Sequence, residues 1–168
     1  MDNVLTIAEE RLNLFAHMAN SACGLSLWCF GMKKQLYTCT CPAEKEFRLF
    51  LDLGQCLDYA IAHGPESHAP ILMSDPIGML WVAECVWHGD DASYLVILGP
   101  VFDAAASLQT LQNCLRGMNL SVSLTATIME KLEQVPILPL STLHQYIKML
   151  HWVLYEETLD VGSIRLQN

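Results

Sequence analysis

Two neighbouring segments, MLWVAECVW (residues 79–87) and YLVILGPV (94–101), are apolar at nearly every position and are parted by the polar run His88-Gly89-Asp90-Asp91. The run reads as a hairpin turn between two strands. Alternate side chains of a strand point to opposite faces, so a strand with water on one side alternates apolar with polar. Here both faces are apolar, and both sides of the sheet must be covered. That requirement governs how the rest of the chain is read.

Material for the covering is present on both flanks. Residues 2–22 predict a first helix with Asp2 as N-cap. Leu5, Ala8, Leu12, Phe15 and Ala19 recur at spacings of three and four, and Val4, Ile7, Leu14 and Met18 form a second apolar line. GLSLWCF (24–30), a turn at 31–34 and residues 35–41 predict a hairpin ended by Pro42. Phe47, Phe50, Leu51, Leu57 and Ile61 predict one helix over 45–63, closed by His63-Gly64-Pro65. A short strand at 71–74 precedes the two apolar strands. Helices over 104–117, over 121–134 with Ser121 as cap, and from 141 towards Glu157 complete the chain. The expected fold is α+β: a central antiparallel sheet of about five strands flanked by N- and C-terminal helices. This order of elements resembles that of GAF and PAS sensor domains, and the resemblance implies a pocket on the other sheet face, closed by the intervening helix.

Composition narrows the function classes. The 168 residues are 52% hydrophobic and 16% charged, too apolar for disorder and with apolar surface to spare for a partner. No apolar run reaches the length of a membrane span, and Met1-Asp2-Asn3 is unlike a signal peptide, so a cytoplasmic location is expected. Nine Lys and Arg stand against 18 Asp and Glu, a formal charge of −9. Such a surface lacks the clustered cations that displace counterions from phosphates, so any contact with DNA requires a further domain. Seven cysteines, an odd number, read as reduced buried thiols. Cys39 and Cys41, with Cys29 on the partner strand, are the one place where three sulfurs could converge, yet neither a CxxC pair nor an HxxxH spacing occurs, and no metal or cofactor is expected. GxSxG, GxxxxGK[ST], HExxH and GxGxxG are all absent, which argues against an enzyme.

The opening hairpin GLSLWCF…KQLYTCTCP, the strand YLVILGPVF and the phrase LEQVPILPLSTLHQYIKMLHWVLYEE resemble the N-terminal sensor regions of AraC-type transcriptional regulators from Gram-positive bacteria. The resemblance implies a sensor domain over 1–140. It also implies a signalling and dimerisation helix over 141–168 that begins a linker to a helix-turn-helix domain. A small effector would bind, and the signal would leave through the terminal helix. Leu143, Ile147, Leu150 and Leu154 form one stripe of that helix and Tyr146, Met149 and Val153 another. One stripe is expected on the sheet and the other in a homodimer, with Leu143, Ile147, Leu150 and Leu154 as the dimerisation residues. His144 and His151, seven apart, are expected at an interface or in solvent.

For the effector, Trp28, Tyr37 and Trp81 offer aromatic platforms. Glu84 is a carboxylate within an apolar strand, and Asp75 lies in the turn SDPIG (74–78) at a sheet end. Such a set suits a sugar, an amine or an aromatic metabolite. The alternative is that the aromatics are core, Asp75 a turn former and Glu84 paired, in a ligand-free interaction domain.

Overall fold

In the computed structural model, described for residues 3–167 with side chains from Glu9 onward, the apolar hairpin is the centre of one sheet. Its strands are β4 (Leu80–His88) and β5 (Asp91–Val101). β1 (Leu27–Gly31) pairs with β5, and the edge strand β2 (Leu36–Cys39) pairs with β1. On the other side β3 (Ile71–Ser74) pairs with β4, and β6 (Arg165–Leu166) lies parallel to β3. The order is β2-β1-β5-β4-β3-β6, antiparallel except for the last pair.

Both faces are covered, as the strand composition requires. Leu12, Phe15, Ala16 and Ala19 of α1 (Asn3–Cys23) and Leu143, Ile147 and Leu150 of α6 (Leu140–Tyr155) pack on Val82, Val86, Val96 and Leu98. The opposite face, carrying Trp28, Phe30, Trp81, Leu95 and Ile97, is covered by four helices. These are α2 (Glu44–Leu53), α3 (Cys56–His63), α4 (Leu108–Arg116) and α5 (Val122–Leu132). Burying a large apolar side chain contributes about 1.5–3 kcal/mol, so these two layers supply the main driving force for the fold. The predicted Asp2 cap and the Val4, Leu5, Ile7 and Ala8 positions lie outside the described side chains.

Three expectations are corrected. The single helix over 45–63 is two, broken at Gly54-Gln55, where Gln55 takes a left-handed φ of 57°. A Cβ on Gly54 would sit 3.1 Å from the Asp75 backbone, so the break brings chain close to the β3–β4 turn. The helix expected from 104 starts at Leu108 because Ser107 caps it, its Oγ accepting the Thr110 amide at 3.1 Å. The tail read as a linker returns to the sheet instead. The Arg165 amide donates to the Pro70 carbonyl and the Gln167 amide to that of Leu72. A two-residue parallel strand carries no periodicity, so no pattern announced it. The Ser121 cap stands as expected, accepting the Leu124 amide at 3.1 Å.

Candidate functional site

Helix α1 borders two openings, one on each side. Towards the sheet edge, Glu9, Leu12 and Asn13 face Leu27 and Cys29 of β1, Tyr37 and Thr38 of β2, His88 at the end of β4, and Ser93 and Tyr94 of β5. They enclose a cleft of about 620 Å³, within the usual range of small-molecule sites. The β1–β2 register shifts between Cys29 and Phe30, leaving Tyr37 as the extra residue between the Leu36 and Thr38 pairings. That bulge changes the alternation: Leu36 and Cys39 both join the opposite core, while Tyr37 lines the cleft with Cys29. Burial, and then the Glu9 carboxylate, pushes the Cys29 thiol up to about 11; burial with Cys29 and Glu9 pushes the Tyr94 phenol up to about 12.

On the other side of α1, Arg11, Leu14, Phe15 and Met18 face Gln145, Lys148, Met149, Trp152 and Val153 of α6 across an apolar groove of about 680 Å³. Leu14 and Met18 are 62% and 61% exposed, and Met149 and Trp152 44% and 52%. Arg11 pairs with Glu156, at the C-terminal cap of α6, and so ties the two helices at one end of the groove.

The five residues predicted to bind an effector fall in three places. Trp28 and Trp81 are fully buried, their rings edge to face at 5.8 Å, and Phe30 stacks on Trp28 at 6.1 Å. Trp28 Nε1–H donates to the Gly99 carbonyl at 2.8 Å and Trp81 Nε1–H to Asp75 Oδ2 at 2.9 Å. Asp75 Oδ1 accepts the amides of Ile77 and Met79, each at 3.0 Å. Burial pushes this carboxyl up to about 6 against the pull of its hydrogen bonds. Trp28, Trp81 and Asp75 therefore form one set that satisfies itself, where the sequence pointed to a platform for an effector. Only Tyr37 lines an opening.

Glu84 stands alone on the other face. Its Oε1 lies 2.5 Å from His151 Nδ1 of α6, both residues being buried, and its Oε2 has no hydrogen-bond partner. Glu157 Oε2 is 3.5 Å from His151 Nε2. The carboxylate beside it raises the His151 pKa, while burial pushes Glu84 up to about 6 against the pull of the imidazole. His151 was expected at an interface or in solvent. It follows Ile147 by four and so belongs to the buried stripe, a signal the spacing from His144 obscured.

The dimerisation residues are likewise relocated. Leu143, Ile147 and Leu150 are fully buried against the sheet and Leu154 partly so, and the exposed stripe is Gln145, Met149 and Trp152. Cys29 lines the cleft, whereas Cys39 and Cys41 pack on the opposite core, so the three sulfurs do not converge. Cys39 Sγ accepts the Cys41 amide at 3.2 Å. All seven thiols are free, and among the described residues no group of three or more His, Cys, Asp or Glu is placed to hold a metal ion. Among them, too, no helix is long and apolar enough to cross a membrane. Sequence reasoning missed Glu9 as a cleft residue and the pairing of His151 with Glu84, because each acquires its role from an element distant in the chain. No protein-family model matches the chain, and no curated protein matches it.

Proposed function

We propose that this chain is an effector-sensing regulatory module, of the kind its sequence resembles in AraC-type regulators. It binds rather than transforms its ligand, acts in the cytoplasm, and controls DNA through an attached helix-turn-helix domain. The observation that carries this reading is the position of α1 between the cleft at Tyr37 and Tyr94 and the apolar groove shared with α6. A ligand favouring one placement of α1 changes the shape of the groove by its differential affinity for the two placements. The charge of −9 is in keeping with this reading, in which the DNA contact belongs to the attached domain.

The test is a thermal-shift screen of sugars, amines and aromatic metabolites, followed by amide hydrogen exchange. A true effector raises Tm, since it binds only the folded state, and alters exchange on both sides of α1. If no compound raises Tm, or if protection stays confined to the cleft, the sensor reading fails.

A second reading, a ligand-free dimerisation domain, is favoured by the exposed Leu14, Met18, Met149 and Trp152 stripe. In that case a second copy covers the groove across a twofold axis. Light scattering decides it: a dimer that Trp152→Glu converts to monomer supports this reading, and a monomeric wild type ends it.

A further inference from the structure

The lining of the cleft has one sign of charge. Among the described residues that enclose it, Glu9 is the one acidic side chain, and neither lysine nor arginine is present. The remaining polar groups are the Asn13 amide, the Thr38 and Ser93 hydroxyls, the Tyr37 and Tyr94 phenols, the Cys29 thiol and the His88 imidazole at the hairpin end. Leu12 and Leu27 provide an apolar floor, both buried. An anion placed here would meet Glu9 without a lysine or arginine to offset it, in a molecule already carrying −9.

We infer that the cleft takes an organic cation, an amine or quaternary ammonium with a small apolar body. Glu9 provides the counter-charge, Tyr37 and Tyr94 provide aromatic faces of the kind that attract such cations, and Leu12 and Leu27 receive the body. Tyr37 is fit for this because the bulge turns it towards the cleft, where it is 60% exposed, and because its hydroxyl accepts a hydrogen bond from the Gln35 amide at 3.1 Å. The Cys29 thiol and Tyr94 phenol, both pushed up by burial, stay protonated and add no charge of their own beside Glu9. The inference rests on the sensor reading and gives its effector a chemical class.

The experiment uses the whole chain and pairs of probes matched in shape: choline against its uncharged carbon isostere 3,3-dimethylbutanol, and phenethylammonium against phenylpropionate. Binding is followed by NMR shifts of the cleft residues. Cations are expected to shift Glu9, Tyr37 and Tyr94 and to bind about 3- to 30-fold more tightly than the neutral isostere. Tyr37→Leu and Glu9→Gln, both at exposed positions, are each expected to weaken the cation by a similar factor and leave the neutral probe unchanged. Equal binding of cation and isostere, or preference for the carboxylate, overturns the cation class while leaving an effector site in the cleft. If probes of every charge leave the cleft resonances unmoved while another metabolite binds elsewhere, the class fails and the sensor reading stands with a different site. If nothing binds anywhere, both fail.

Discussion

A carboxylate and an imidazole sealed between β4 and α6 make Glu84 and His151 sensitive to the pH of the solution. Both hold protons more tightly in the folded protein than their ordinary values, 4.5 for Glu84 and 6.5 for His151. The native state thus binds more protons than the unfolded chain, and stability falls as pH rises. The loss begins above about 4.5, continues as native Glu84 titrates near 6, and ends when native His151 releases its own proton above 6.5. Other groups face the pair: Glu157 from the chain after α6, Arg165 on β6, and Tyr155 with Cys85 behind Glu84. His151→Leu leaves the carboxylate buried and uncompensated, and urea unfolding at pH 8 is expected to show a cost of about 3–5 kcal/mol. The cost should shrink towards pH 5, where the orphaned carboxyl takes up a proton. A pH-independent difference would show that the pair is not ionised in the native state.

Whole helices sort their own stripes between core and surface, and α6 shows how. Leu143, Ile147, Leu150 and His151 face the sheet, while Met149 and Trp152 face away. Leu150→Glu would bury an unpaired charge against Val82 and Val96 and is expected to unfold the domain rather than to yield folded monomers. Trp152→Glu changes a half-exposed side chain at the groove and should cost far less than Leu150→Glu, about 1 kcal/mol or below. Circular dichroism melts of the two variants check the assignment; similar melts would mean that α6 is rotated from the arrangement described. At the opposite face a comparable constraint acts on backbone. The β4–β5 register shifts between Leu80 and Val82, which pair with Val101 and Leu98, so β5 bulges at Gly99-Pro100. A Cβ on Gly99 would stand 2.8 Å from Trp81, and this position, whose carbonyl receives the Trp28 indole, requires glycine.

Across the whole molecule, the chain end returns to complete the sheet, and one side chain secures it. The Arg165 guanidinium donates to the carbonyls of His63, Gly64, Ser67 and Ala69, which close α3 and lead into β3. Arg165→Ala leaves those carbonyls without their donor, and a loss of about 1–3 kcal/mol is expected. Hydrogen exchange should show it first at Arg165, Gln167 and the ends of β3; a loss of protection spread evenly over the sheet would contradict a local role.

The layering of the molecule was legible in the sequence because burial on two faces leaves its mark on every position of residues 79–87 and 94–101, whatever the partners turn out to be. The α1 seam at Leu12, Phe15 and Ala19, the first hairpin, the β3 strand and the Ser121 cap were equally readable, since each depends on neighbours within a turn or two. Which polar group meets which was decided by tertiary structure. Glu84 finds His151 67 residues away, Asp75 finds the Trp81 indole, and a one-residue bulge sends Tyr37 to the cleft rather than the side of Cys39. Periodicity records whether a side chain is buried; it holds no record of the partner, because packing brings together residues whose separation in sequence is arbitrary.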